Sequence, residues 1–151
     1  MTVSGTPSFA RRILLLIAVL AAAGAVVSSV SLYHHYGTSA TAYCDIGENF
    51  NCDIVNRSTY STVLGVPVAL IGLAGYLTVL VLSTFYRDRA DTPALLAMGS
   101  LGGLGFALYL TYIEGLVLTT WCILCLSSLA LILSIAVLSS LLWMRRIRQP
   151  D

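Results

Sequence analysis

The residues of this chain best suited to chemistry are its four cysteines. They fall in two pairs: Cys44 and Cys52, eight positions apart, and Cys122 and Cys125 in a Cys-Ile-Leu-Cys step. Four cysteines allow three full pairings, and three kinds of chemistry compete for them. A Cys-x-x-Cys is half of a zinc site, but the step from Cys44 to Cys52 is wide for the other half, so no metal is expected. Structural staples, or four buried small hydrophobes, are the plain alternative. A Cys-x-x-Cys on one helical turn, however, locks nothing distant together and stabilises little by loop closure. It is better suited to cycling between dithiol and disulfide. At a helix N-terminus the macrodipole and free N–H groups favour the thiolate, the reactive form. The wider pair could take electrons from a soluble dithiol protein and hand them to Cys122 by thiol–disulfide exchange. Relay and staple both remain open on spacing alone.

The elements that must position these cysteines cross a membrane. The chain is 58% hydrophobic and 10% charged, with a mean hydropathy of +0.88, whereas soluble domains run at about 45–50% apolar and about 25% charged. Residues 13–44, 58–86, 92–113 and 115–144 hold no Asp, Glu, Lys or Arg. Each exceeds the ~20 apolar residues that cross a ~30 Å hydrocarbon layer. Backbone in lipid must satisfy its own hydrogen bonds, and the runs lack the alternation of barrel strands, so helices are expected. The expectation is an all-α membrane protein: a four-transmembrane-helix bundle with spans near 13–32, 63–85, 94–112 and 117–143, and a long exoplasmic loop over 33–62 between helices 1 and 2. Pro67 would fall in the first turns of the second span. The first run follows Arg11 and Arg12 as a signal peptide would, but it continues through Val30 and three more spans follow, which favours an uncleaved span.

There is no lysine among the eight basic residues. Arg11 and Arg12 precede span one, Arg87 and Arg89 lie between spans two and three, and Arg145, Arg146 and Arg148 follow span four; only Arg57 falls on the other side. Both termini are therefore expected in the cytoplasm and all four cysteines at the outer face. A net charge of +1 offers no surface for nucleic acid. Gly65, Ala69, Gly72 and Gly75, and the Gly99-x-x-x-Gly103 pattern, are read as close-packing positions within one bundle.

The remaining polar residues take plainer expectations. Asp45, Glu48 and Asp53 solvate the loop, and His34 and His35 sit at the wet end of span one. Trp121 anchors the Cys-x-x-Cys turn at the interface, and Glu114 marks the membrane boundary. Tyr76, Tyr109 and Tyr112 are packing or interface aromatics, with Tyr109 or Tyr112 near enough to the cysteine end to line a pocket.

Taken in order, these residues resemble the vitamin K epoxide reductase family. The resemblance rests on Cys-Asp-Ile-Gly at 44–47, Cys52, Ser58, Ser-Thr-Val-Leu-Gly at 61–65 and Trp-Cys-Ile-Leu-Cys at 121–125, and it covers nearly the whole bundle. The DsbB type of membrane thiol oxidase carries its Cys-x-x-Cys in the first exoplasmic loop and the wider pair later; the order here is the reverse. The resemblance implies that Cys44 forms a mixed disulfide with a reduced partner and that Cys52 resolves it. Cys52 then attacks Cys122, and Cys125 is freed as the thiolate beside a quinone of the menaquinone, ubiquinone or vitamin K type. Ser61 stands where vertebrate members have an asparagine that hydrogen-bonds the quinone, with a helix N-cap as its equal alternative. Ser58 resembles a serine supporting the docked loop. Four residues after Cys125, vertebrate members place a tyrosine against the quinone; Leu129 stands here, which favours simple quinone reduction over epoxide reduction. Some relatives carry a fused thioredoxin-like domain. Since this chain ends at Asp151, the expected partner is a separate thioredoxin-like or DsbA-like dithiol protein. The expected setting is a prokaryotic plasma membrane, with the endoplasmic reticulum as the alternative. The competing functions are a vertebrate-type epoxide reductase and a non-enzymatic membrane protein with stapling disulfides.

Overall fold

Four helices form the body of the protein, and each is longer or shorter than its apolar run suggests for a local reason. The structure is a computed structural model that describes residues 8–37 and 49–149, apart from the Asp53 side chain. Cys44, Asp45 and Glu48 lie outside the described residues. Helix α1 (Ser8–Tyr36) is followed by the short α2 (Cys52–Asn56), then α3 (Val68–Thr84), α4 (Thr92–Ile113) and α5 (Ile123–Arg148). α1, the α4 segment extended to Leu118, and α5 are long and apolar enough to cross a membrane, and α3 is a shorter apolar helix. Large apolar side chains such as Leu16, Val19, Met98, Leu108 and Val137 face outward, more than half exposed, the arrangement expected of a bundle whose solvent is lipid. The chain is an integral membrane protein built of helices.

The second apolar helix begins later than the span expected for it. Thr62–Val63 and Val66–Pro67 form a two-stranded antiparallel hairpin, β1 and β2, turned at Leu64 (φ 52°) and Gly65 (φ 81°). Two successive positive φ values are those of a type I′ hairpin turn, in which glycine is unstrained. Pro67 is the N-cap of α3 rather than a residue of its first turns, because proline has no N–H to continue a helix back through it. Nor does the fourth span begin at 117: Glu114–Leu118 prolong α4 as a π-helical turn, and α5 starts at Ile123.

The bundle is packed differently at its two ends. Ile13, Leu14, Ile17, Ala21, Leu96, Ile135 and Leu142 form a closed core toward the end where Arg145 lies over the Phe9 ring. Toward the other end α1 and α3 meet closely at Gly24, where an added Cβ would run into the Tyr76 ring. The Tyr76 hydroxyl hydrogen-bonds to Oγ and the carbonyl of Ser128 on α5 (2.8 and 2.9 Å). Beyond this tie the helices enclose a cavity. Gly103 packs against Ile132 and Gly72 approaches Ser28, as the close-packing expectation has it. Gly75 and Gly99 do not, since a Cβ on either would meet nothing within 4 Å. They line the cavity instead.

Candidate functional site

A short backbone bridge brings the two cysteine segments together. The Asn51 N–H donates to the Trp121 carbonyl (3.1 Å), and the Trp121 N–H to the Asn49 carbonyl (2.9 Å), pairing Phe50 with Trp121. One residue beyond each strand of this bridge stand Cys52 and Cys122. Both are fully buried and share an apolar cluster with Val55, flanked by Leu118, Leu124 and Cys125. The Trp121 ring, half-buried, lies against Gly115, where a Cβ would come within 3.0 Å of it.

Cys122 is the N-cap of α5 and Cys125 lies in its first turn, the helix-start placement expected of this Cys-x-x-Cys. Cys52 and Cys122 pack in the one apolar cluster with Cys125 against it, and Cys125 and Glu114 face the same cavity. The hydrogen bond to Cys125, reinforced by burial, pushes the Cys122 thiol above the ordinary cysteine range against the opposing effect of Cys52. In the reduced pair Cys122 is therefore held as the neutral thiol.

Glu114 is not at the membrane boundary in any exposed sense. It is 2% exposed, and its Oε2 accepts the Cys122 N–H (3.1 Å). What aims it there is the π-helical turn that it opens. That turn closes at Thr119, held in the left-handed region (φ 51°), with the Thr120 N–H returning to the Glu114 carbonyl (3.1 Å). π-turns recur at functional sites, and a β-branched residue at positive φ is a true outlier. Glu114 was legible as the one charged residue in positions 92–144; a carboxylate inside an apolar span is a functional candidate by default.

The cavity beside these thiols has a volume of about 340 Å³. Cys125 and Glu114 face it from the α4–α5 end, Tyr76, Val79 and Ile132 from below, and Ser31, His35 and Asn56 from α1 and α2. Ser58 and Ser61 also line it, but their hydroxyl protons are committed: Ser58 Oγ donates to the Val55 carbonyl (2.8 Å) and Ser61 Oγ to the Ser58 carbonyl (2.7 Å). Ser61 caps no long helix, because the hairpin separates it from α3. The two histidines are not solvated ends of span one. His34 is 1% exposed, and the His35 Nδ1–H donates to the Asn56 carbonyl. Ser31 Oγ donates to Asn56 Oδ1 (2.8 Å), so α2 is tied to α1 through this one asparagine. Asn56 had a faint signal, four residues from Cys52 and therefore on the same face of a helical turn. Tyr109 and Tyr112 are exposed and do not line the cavity, and neither does Leu129.

Thiols clustered beside an apolar cavity inside a helical membrane bundle are the arrangement of a membrane thiol oxidoreductase with a lipid-soluble substrate. The model of the vitamin K epoxide reductase family matches residues 15–140 of this chain. The chain belongs to that family, whose members are membrane, quinone-linked thiol oxidoreductases.

Proposed function

We propose that this protein oxidises a dithiol protein at the outer face of a membrane and passes the electrons through its four cysteines to a quinone. The observation that carries this reading is the packing of Cys52, Cys122 and Cys125 into one cluster, with Cys125 on the cavity wall. In this reading a thiolate of a separate thioredoxin-like or DsbA-like partner opens a Cys44–Cys52 disulfide at Cys44, and the released Cys52 attacks Cys122. The Cys122–Cys125 bond breaks and Cys125 leaves as thiolate. The partner's second cysteine displaces Cys44 and the partner leaves as a disulfide; the freed Cys44 thiolate then attacks Cys52 and expels Cys122, leaving a reduced Cys122/Cys125 pair. That pair gives up two electrons and two protons and closes again to the disulfide, while quinone becomes quinol. Leu118, Leu124 and Val55 keep water from the exchanging sulfurs.

All four long helices cross the membrane in this reading. α3 supplies its span with help from the hairpin, since its 17 residues reach only about 26 Å at 1.5 Å per residue. Both termini face the cytoplasm, with seven of the eight arginines on that side. The setting that fits is a prokaryotic plasma membrane. The chemistry is simple quinone reduction supporting disulfide formation, since no tyrosine occupies position 129.

The test is quinone reduction by the purified protein with a reduced thioredoxin-like donor, with Cys125→Ala alongside. Turnover that vanishes in the variant is expected. Folded wild-type protein that reduces no quinone would return the cysteines to stapling, and unchanged turnover in Cys125→Ala would remove Cys125 from the route.

A further inference from the structure

Two polar atoms at the cavity are buried and make no hydrogen bond among the described residues: Nδ2 of Asn56 and Oε1 of Glu114. Both residues line the cavity, and they are 6% and 2% exposed. The rest of each side chain is engaged. Asn56 Oδ1 accepts from Ser31, and Glu114 Oε2 accepts the Cys122 N–H. What each has left is one atom: the amide nitrogen of Asn56 with its two N–H donors, and on Glu114 an oxygen that donates when the carboxyl is protonated and accepts when it is not. Buried polar groups are costly to leave unpaired, and an orphaned one in a native structure points to an absent partner. The partner must be mostly apolar to suit the walls made by Val79, Phe106, Leu110 and Ile132, and it must present acceptor oxygens. Ser58 and Ser61 are weaker candidates to meet it, because their protons already serve backbone carbonyls.

We infer that Asn56 and Glu114 are the two polar ends of the quinone site. The Asn56 amide donates to one carbonyl oxygen, and the Glu114 carboxyl donates to the other and delivers its proton there. This rests on the quinone-reducing reading above. The step balances without a further reactant. The S–H bonds of Cys122 and Cys125 break and one S–S bond forms. The released electron pair enters the quinone ring, and the two thiol protons finish on its two oxygens. One of them passes through Glu114, which gives up its own proton and regains one from Cys125, which faces the same cavity. Asn56 then sets affinity and Glu114 sets rate, so the two substitutions should divide between KM and kcat.

The experiment uses the full chain in detergent, with dithiothreitol as donor and a short-tailed ubiquinone as acceptor. Glu114→Gln keeps an oxygen for the Cys122 N–H but has no proton to give. It should lower kcat by about 100-fold, the usual scale for losing a positioned acid, with the quinone KM within about threefold. Glu114→Asp should recover part of that loss. Asn56→Leu keeps the volume and removes the donor, and it should raise the quinone KM by about tenfold with a smaller change in kcat. Adding quinone to the wild-type protein should also shift the infrared band of a protonated buried carboxyl group, a readout that needs no variant. Wild-type kcat in Glu114→Gln, an unmoved KM in Asn56→Leu, or an unshifted carboxyl band would each overturn this assignment while leaving the quinone reading intact. A wild-type protein inactive with every quinone would instead remove the reading beneath it.

Discussion

Ser61 and Asn56 face the same cavity but hold their protons differently, and that difference sets what each substitution should do. Ser61 Oγ donates to the Ser58 carbonyl inside a turn of 3₁₀-helix, so Ser61→Ala should cost about 1 kcal/mol of stability and change the quinone KM by less than about threefold. A larger change in KM at unaltered stability would make Ser61 a direct ligand. A second expectation concerns Cys122, whose thiol is held up by Cys125 and by burial. Only the thiolate alkylates. A raised pKa therefore means less thiolate than an ordinary cysteine of pKa ~8.5 has at any given pH below it. In the reduced protein, site-resolved alkylation of Cys122 should still be climbing at pH values where an ordinary cysteine has levelled off. A plateau near pH 9 would contradict the assignment. The cysteines were singled out because their spacing implies a mechanism, and the structure brings Cys52, Cys122 and Cys125 together. Asn56 and Glu114 were not read as site residues: Glu114 stood out as a lone charge in an apolar stretch and Asn56 faintly by its spacing from Cys52, but their role comes from what their neighbours across α1, α2 and α5 leave unsatisfied.

At the scale of elements, hydropathy located the apolar helices but not their ends. Residues 63–68 are apolar almost throughout, so the run into α3 looked continuous, yet Gly65 and Pro67 are a turn residue and a helix starter, and the backbone obeys them. The π-turn at Glu114–Leu118 is equally hidden, since its residues would also fit an α-helix. The glycines divide by what their missing side chains would meet. Gly24→Ala would drive a methyl group into the Tyr76 ring, which is tied to Ser128, and should cost about 1–3 kcal/mol as overpacking does, seen as a lower thermal midpoint in detergent. Gly99→Leu meets open space at its Cβ and should leave the thermal midpoint near that of the wild type. By filling the cavity it should raise the quinone KM by about tenfold or more. If Gly99→Leu reduces quinone with unaltered KM, the cavity is not the site.

The whole molecule is a bundle closed at one end and hollow at the other. The Ile17–Leu96–Ile135 core beneath the arginines fixes the helix positions, and the bridge between Phe50 and Trp121 sets the thiols over the hollow end. Residues of one sign at alternate connections carry the expected orientation, whereas the division into packed and hollow halves depends on which small residues oppose large ones across three helices. The hollow half has a consequence for how activity should be measured. Gly75 and Gly99 thin the wall between α3 and α4, so a substrate dissolved in the bilayer can arrive sideways without passing through water. Supply then depends on the number of quinone molecules per lipid, not per litre. In proteoliposomes at fixed bulk quinone, fusing in substrate-free lipid should slow turnover in proportion to the dilution, below saturation. Doubling the aqueous volume around the same vesicles should leave it unchanged.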